Sequence, residues 1–248
     1  MELEGKRCLI TGGTAGIGLA LARQLAERGA RVMICGRDGA RLDDALRSLP
    51  GASGVLCDVG RESDLRGLVE ETDAHFGGLD LLVNNAGIQL EWELASATHT
   101  DAIDCERIAR EVAVNLVGPM QLTVLALPLL RHGEGAAIVN VTSVLARQPR
   151  PAVPVYSSTK AALRSWTRSL RAQLAPEGIR VVELVPPLVE TAMTRGRAAD
   201  AISAEAMASA AIRGLTAGHG EVRVGKARAA AWLDRLAPAL LARMMAQP

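Results

Sequence analysis

Short apolar runs alternate with longer amphipathic stretches along most of the chain. The apolar runs are nearly continuous, which is typical of strands buried on both faces of a sheet. They predict six strands, at residues 7–11, 31–35, 54–57, 79–84, 136–142 and 180–185. The stretches between them have helical spacing and predict helices at 17–28, 40–49, 62–76, 106–131 and 155–175. Strands separated by helices indicate right-handed crossovers, so the pattern predicts an α/β fold, a doubly wound parallel sheet with helices on both faces.

Two segments interrupt this alternation. Residues 88–104 are polar and long for a loop, and residues 186–201 follow the sixth strand. Ligands enter parallel sheets at the carboxyl ends of the strands, so we expect both segments to line a substrate pocket, with 186–201 as the substrate loop. A further helix after Ser203, a short strand at 221–224 and a C-terminal helix at 227–245 complete the prediction. No linker marks a boundary, so we expect one domain over residues 1–248.

Composition excludes several classes of protein. The 248 residues are 49% hydrophobic and 22% charged, which is ordinary for a folded globular chain. A net charge of +1 gives no reason to expect nucleic acid or an anionic membrane as partner. The acidic start is not a secretory signal, and the longest apolar stretch, 122–130, is too short to span a bilayer. Three of the four cysteines lie in predicted strands, which is typical of buried thiols in a reducing compartment, so we expect a cytoplasmic protein. The cysteines lack CxxC spacing and the histidines are scattered, so we expect no metal site.

A glycine-rich turn lies where the first strand meets the first helix. Its sequence, Thr11-Gly12-Gly13-Thr14-Ala15-Gly16-Ile17-Gly18, has the spacing G-x-x-x-G-x-G. Glycines allow the backbone to turn sharply and approach a pyrophosphate, whose charge is stabilised at the helix N-terminus. The alternative is a purely structural turn. The position after strand one favours a Rossmann-type dinucleotide site, with these contacts: Gly12, Thr14, Gly16, Ile17 and Gly18.

The end of the second strand predicts which dinucleotide is preferred. Folds that bind NAD place an acid there for the ribose hydroxyls, whereas NADP folds tend to offer arginine. This chain has Gly36 at the expected position of the acid, followed by Arg37 and Asp38. A guanidinium matches a 2′-phosphate in charge and geometry. Asp38 could instead neutralise Arg37 or bond a ribose, but on balance the residues favour NADP(H) over NAD(H).

The only tyrosine of the chain, Tyr156, stands four residues before Lys160, one of three lysines. Residues at this spacing share one face of a helix. An ammonium near a phenol stabilises the phenolate, so we expect a lowered tyrosine pKa and a proton donor usable near neutral pH. The alternative is a buried aromatic residue with a surface lysine beside it.

Five motifs together resemble the short-chain dehydrogenase/reductase family, in its compact single-domain branch. They are the glycine-rich turn, Asn84-Asn85-Ala86-Gly87, Asn115, Ser143 and the Tyr156–Lys160 pair, in the family's order and intervals over residues 5–195. Within the family, the residue strings at 10–14, 85–89 and 186–189 look like those of the DltE-type bacterial oxidoreductases. Here Pro187 replaces a glycine that is common in relatives. Proline removes an N–H and fixes φ, which puts the local backbone path in doubt.

The resemblance implies a role for each matching residue. Tyr156 would be the general acid or base, Lys160 would bond the nicotinamide ribose, Ser143 would hold the substrate oxygen, and Asn115 would hold a relay water. Contacts with the rest of the dinucleotide would come from Asp58, Val59, Asn85, Ala86, Gly87, Val189 and Thr191.

These residues predict an oxidoreductase that interconverts a carbonyl and a secondary alcohol of a small-molecule substrate by hydride transfer. The alternative is a catalytically silent NADP(H)-binding regulator, although such proteins usually lack part of the proton-transfer set. The resemblance also implies a homodimer or homotetramer, with helices 106–131 and 155–175 covered by a partner subunit.

Overall fold

One parallel sheet organises the part of the chain that the structure describes. The structure is a computed structural model, and it describes residues 2–93, 105–194 and 201–225. Seven strands pair in the order β3-β2-β1-β4-β5-β6-β7, and every pairing is parallel. Their bounds are β1 Arg7–Thr11, β2 Arg31–Gly36, β3 Ser53–Leu56, β4 Leu81–Asn84, β5 Ala137–Val141, β6 Arg180–Val185 and β7 Glu221–Arg223.

Helices connect the strands and cover the sheet. Their bounds are α1 Gly16–Ala26, α2 Gly39–Arg47, α3 Glu62–Phe76, α4 Cys105–Val112, α5 Gly118–Arg131, α6 Pro154–Leu174 and α7 Ala204–Thr216. Short 3-10 turns lie at Val144–Ala146, Ala175–Glu177 and Ala192–Thr194.

Side chains alternate between the two faces of the sheet along each strand, and each face has its own hydrophobic core. On β1, Cys8 and Ile10 pack towards α1, α2 and α7, whereas Leu9 packs towards α3, α5 and α6. Successive side chains of a strand point to opposite faces, so an apolar run without polar interruptions is what a sheet covered on both sides requires. The predicted doubly wound α/β fold is confirmed.

The stretch predicted as one helix over 106–131 has a discontinuity. A π-helical turn at Ala113–Val117 separates α4 from α5 and contains the buried Asn115. π-turns inside α-helices occur frequently at functional sites. Here the Asn115 side chain bonds both backbone groups of Ile88, on the segment after β4.

The helical stretch Cys105–Arg131 is long and apolar enough, by length and composition, to cross a membrane. Core helices of globular proteins meet the same criterion, and α5 packs on α3 and on the sheet. The predicted C-terminal helix at 227–245, residues 94–104 and residues 195–200 lie outside the described residues.

Candidate functional site

A cleft of about 490 Å³ opens at the carboxyl ends of the strands, around β1 and β4. After β1 the chain passes through α1 to β2, which pairs with one edge of β1. The other edge of β1 pairs with β4, so the strand order reverses between β1 and β4. Ligands bind at such switch points in open α/β sheets. Most of the predicted site residues line the cleft: Gly12, Thr14, Gly16, Ile17, Arg37, Asp58, Val59, Asn85, Ala86, Gly87, Tyr156, Lys160 and Thr191.

The glycine-rich turn has the geometry of a backbone cradle. Gly12 and Gly16 have φ values of 64° and 53°, which side chains rarely allow. A Cβ at Gly18 would overlap the carbonyl oxygen of Gly12, so Gly18 serves the close packing of the turn and does not itself line the cleft. No side chain caps the N-terminus of α1, where Ala15 is the N-cap. The first N–H groups of α1 therefore offer positive potential to an anion in the cleft.

Asn85 fastens this cradle to the end of β4. Its Nδ2 donates to the carbonyl oxygens of Thr11 at 2.9 Å and of Gly12 at 3.2 Å. The hydroxyl of Thr11 accepts from the backbone N–H groups of Asn85 and Ala86, both at 3.0 Å. The amide of Asn85 is therefore engaged by the protein backbone, and its contribution is to hold the two strand ends in register.

One end of the cleft, the arginine end, contains Arg37, Arg41 and Arg110. A Cβ at Gly36 would stand 2.6 Å from Thr14 Cγ2, which explains the lack of a side chain there. Asp38 caps α2 by accepting from Arg41 N at 3.1 Å, and its carboxylate lies 3.6 Å from Arg41 Nε.

Asp38 was expected either to neutralise Arg37 or to bond a ribose. In the structure its carboxylate engages Arg41 and not Arg37. Arg37 is exposed and makes no hydrogen bond or ion pair with another residue of the described ranges.

Arg110 also holds Asp58 at this end. Its Nη2 donates to both carboxylate oxygens of Asp58 at 2.7 Å, and Gly60 N donates to Asp58 Oδ1 at 3.0 Å. Burial raises the pKa of Asp58, but these hydrogen bonds and the nearby arginine charges outweigh it and leave the pKa below its ordinary value. Arg41 and Arg110 were not predicted from the sequence, since helical spacing alone does not show that their helices border the cleft.

The other end, the tyrosine end, brings together the four predicted catalytic residues. Tyr156 and Lys160 lie in the first turns of α6, Ser143 follows β5, and Asn115 lies in the π-turn. Lys160 Nζ donates to the carbonyl of Val141 at 2.8 Å and stands 5.7 Å from the Tyr156 ring centroid. Ser143 hydrogen-bonds Tyr156 and accepts from Leu145 N at 3.1 Å. Ser143 and Asn115 are buried, and neither is among the residues that line the cleft.

Asn115 links this group to the segment after β4. Its Oδ1 accepts from Ile88 N at 2.8 Å, and its Nδ2 donates to Ile88 O at 2.8 Å and to Thr159 Oγ1 at 3.3 Å. A Cβ on Gly87 would stand 3.2 Å from Asn115 Oδ1 and 3.6 Å from Lys160 Nζ. The absence of a side chain at Gly87 thus lets the lysine and the asparagine approach the same part of the cleft.

Burial dominates the protonation of the tyrosine end. It raises the pKa of Tyr156 to about 12, against a lowering by the Ser143 hydrogen bond, and the charge of Glu111 raises it further. It also lowers the pKa of Lys160 to about 8. The prediction that Lys160 lowers the tyrosine pKa is wrong for this arrangement, because desolvation of the phenolate is the larger effect and Lys160 donates to Val141 instead.

The two predicted residues after β6 separate in the structure. Thr191 lines the cleft, and its methyl group would lie 3.0 Å from a Cβ on Gly16. Val189 is buried in the core beside α1 and α7 and pairs with Ile202. Pro186 lines the cleft, so the chain reaches it despite the proline at 187. The substrate loop is described only to Thr194 and from residue 201.

No group of three or more His, Cys, Asp or Glu that could hold a metal ion occurs within residues 2–93, 105–194 and 201–225. Cys8, Cys35 and Cys57 are buried and Cys105 is exposed, and all four are free thiols.

Comparison with known proteins gives the same interpretation of the motifs. The family model described as short chain dehydrogenase matches residues 6–201. The uncharacterized oxidoreductase DltE of Bacillus subtilis is 42% identical over 195 residues, which are 79% of this chain and 76% of that protein.

Two solved structures share the fold. A short chain dehydrogenase from Burkholderia cenocepacia in complex with NADP has a TM-score of 0.87 at 29% identity, with all of both chains covered. The 3-ketoacyl-(acyl-carrier-protein) reductase from Brucella melitensis, complexed with NADH, has a TM-score of 0.79 at 32% identity, covering 88% of this chain and 96% of that one. With the family model matching most of its length and a relative above 40% identity, the chain belongs to the short-chain dehydrogenase family.

Proposed function

We propose that the protein is an NADP(H)-preferring oxidoreductase that interconverts a carbonyl and a secondary alcohol, with Tyr156 as general acid or base. The observation that carries the proposal is the convergence of Tyr156, Lys160 and Ser143 at one end of a cleft whose other end is rich in arginine. A proton donor at one end and cationic anchors at the other fit an elongated, anionic cofactor.

The cleft suits a dinucleotide along its whole length. Gly12 and Gly16 allow close backbone approach beside the uncapped N-terminus of α1, which suits a pyrophosphate. Asp58 and Val59 line the arginine end, and Thr191 lines the cleft opposite Gly16. The family members named above were solved with NADP and with NADH, which supports a nicotinamide cofactor of either kind.

When bound, the reduced cofactor supplies the hydride for the carbonyl carbon. Reduction of a carbonyl develops negative charge on its oxygen, which has to be protonated as it forms. Tyr156 is neutral over the working pH range because burial raises its pKa to about 12, so it is available as the donor. Ser143 bonds the same phenol, and in the proposal it orients the substrate oxygen.

Lys160 and Asn115 support this proton transfer. Lys160 is charged below its pKa of about 8, and its ammonium lies beside the tyrosine ring. In the proposal it holds the ribose hydroxyls of the bound cofactor. Asn115 fixes the backbone of Ile88 beside this group and lies next to Gly87 and Lys160, as a relay partner for the lysine would have to.

The preference for NADP(H) rests on Arg37 and Arg41. Both are exposed at the cleft, Gly36 offers no acidic side chain, and Asp38 is occupied by Arg41 and by the cap of α2. A 2′-phosphate would meet two guanidinium groups there, and bidentate contact with guanidinium is the strong form of phosphate recognition.

The experiment follows the oxidation of NADPH and NADH with a panel of ketones, aldehydes and diketones, using wild type and Tyr156→Phe. We expect faster turnover with NADPH than with NADH on at least one compound, and loss of that turnover in the variant. Tight cofactor binding by both proteins without turnover on any compound would contradict the proposal and favour a catalytically silent regulator.

The proposal includes a homodimer or homotetramer in the cytoplasm. Val117 and Val124 on the stretch Cys105–Arg131 are exposed, which fits a surface covered by a second subunit. Light scattering at micromolar concentration tests this, and a monomeric mass would contradict it.

A further inference from the structure

A buried carboxylate, Glu111, lies outside the family motifs and is not used in the proposed chemistry. It sits near the end of α4 with none of its surface exposed. Its Oε1 accepts from Leu90 N at 3.2 Å, and its Oε2 accepts from Trp92 Nε1 at 3.4 Å. Buried carboxylates are rare unless they are paired or hydrogen-bonded, so these two bonds explain how the group is tolerated.

Both donors belong to one short segment after β4. Its first residue, Ile88, lines the cleft and is held by two hydrogen bonds to Asn115. Its last residue, Trp92, is buried, and its backbone N–H donates to Ala152 O at 3.0 Å, just before α6. Residues 88–92 thus run from the cleft wall to the base of the helix that carries Tyr156, and α4 packs on that helix.

We propose that Glu111 is a positioning residue whose carboxylate fastens residues 88–92 to α4 and so fixes the wall of the cleft beside Tyr156. Asn115 holds this segment at Ile88, Glu111 holds it at Leu90 and at the Trp92 indole, and Ala152 O accepts from the Trp92 backbone. The inference rests on the proposed function only in its kinetic consequence.

The charges that act on Glu111 come from its own helix and from α6. Burial raises its pKa, whereas the bonds from Leu90 and Trp92 and the charge of Arg107 lower it, and the pKa stays above the ordinary value. Arg107 also stacks over the Trp92 ring, with its guanidinium carbon 4.8 Å from the ring centroid. Tyr156 is the titratable neighbour on α6, and it titrates near pH 12.

The indole N–H of Trp92 provides a direct spectroscopic test. The signals of the three tryptophans in a ¹H–¹⁵N spectrum are assigned with Trp92→Phe. In wild type, we expect the Trp92 signal to move through one step with pH, because the Glu111 carboxylate that accepts its indole N–H is protonated as the pH falls. In Glu111→Gln the step should vanish, and the Leu90 amide should exchange with solvent about tenfold faster, because glutamine has no charge and offers one acceptor oxygen to two donors. Glu106→Gln removes an exposed carboxylate from the same helix and should keep the step.

Kinetics separates positioning from mere stability. Glu111→Gln should raise KM for the carbonyl substrate about tenfold while KM for NADPH stays within about twofold of wild type. Trp92→Phe should also speed exchange at Leu90, which keeps the proposal testable if Glu111→Gln does not fold. A Trp92 signal without a pH step, or a step that persists in Glu111→Gln, would overturn the inference. The spectroscopic result holds even if no substrate is turned over, so a failure here differs from a failure of the proposed activity.

Discussion

The arginine end and the tyrosine end of the cleft are built in different ways. At the arginine end, the side chains of Arg37 and Arg41 are exposed, and they carry their charge in contact with water. At the tyrosine end, Asn115, Ser143 and Lys160 are buried, and each makes short hydrogen bonds to backbone or to a neighbouring side chain.

This difference decides what each end can control. Exposed charges are screened by solvent and contribute modest, adjustable free energy, which suits discrimination between two similar ligands. Buried groups have displaced pKa values, about 12 for Tyr156 and about 8 for Lys160, which suits control of a proton. Substitutions at the tyrosine end should therefore change chemistry, and those at the arginine end should change selectivity.

Apart from Tyr156→Phe, the largest effect should come from Ser143→Ala. The variant removes a hydroxyl that bonds Tyr156 and, in the proposal, the substrate oxygen, so kcat should fall about a hundredfold or more. The Ser143 hydrogen bond lowers the pKa of Tyr156, so its loss raises that pKa further. Ser158→Ala removes an exposed hydroxyl from α6 and is the matched control. Equal kcat values in the two variants would contradict the assignment of Ser143.

Lys160→Met should show the pH dependence of a buried lysine. The folded pKa of about 8 lies below the ordinary 10.5, so between these values the unfolded chain binds more protons and stability rises with pH. Below pH 8 both states are charged, and the folded state carries the full cost of desolvation.

The free energy of unfolding of wild type should therefore rise relative to Lys160→Met by about 3 kcal/mol between pH 7 and the ordinary lysine pKa. Urea unfolding of both proteins at intervals over this range measures it. A difference that stays constant with pH would contradict the burial of a charged Lys160.

Gly18→Ala tests the cradle that joins the two ends. The new Cβ would overlap Gly12 O and stand 2.5 Å from Asn85 Nδ2, both part of a backbone-bonded turn. We expect a loss of about 2 kcal/mol in the free energy of unfolding and a weaker Kd for NADPH. Gly67→Ala is the control, since nothing lies within 4 Å of its Cβ position in α3, and alanine should stabilise that helix. Similar losses in both variants would show that Gly18 is not a close contact.

The smallest effect should be the change of cofactor selectivity in Arg37→Ala. The Kd for NADPH should rise about tenfold while the Kd for NADH changes little, because one charged contact to phosphate is removed. Arg47→Ala removes an exposed arginine from the C-terminal end of α2, away from Arg37, and should leave both values unchanged. An equal loss for NADPH and NADH would contradict the proposed phosphate contact.

The sequence predicted the fold well because strand burial leaves a strong local signal. The six predicted strands coincide with β1 to β6 within about two residues, and the short run at 221–224 is β7. The glycine-rich turn and the Tyr156–Lys160 pair were also predictable, since each depends on residues close together in the chain.

The remaining features depend on distant residues. Arg110 reaches Asp58 and Glu111 reaches Trp92 only because α4 lies beside β3 and α6, which spacing within α4 does not reveal. The π-turn at Asn115 has no composition signal. The direction of the Tyr156 pKa was wrong because helical spacing shows that Lys160 is near but not that burial dominates.

The most direct test of the account is to measure, for wild type and Tyr156→Phe, both the Kd for NADPH and kcat on a carbonyl substrate. The account predicts a Kd within about twofold of wild type and a kcat lower by about a thousandfold, because only the transferred proton is removed. A variant that retains most of its kcat would contradict the assignment of Tyr156 as the proton donor.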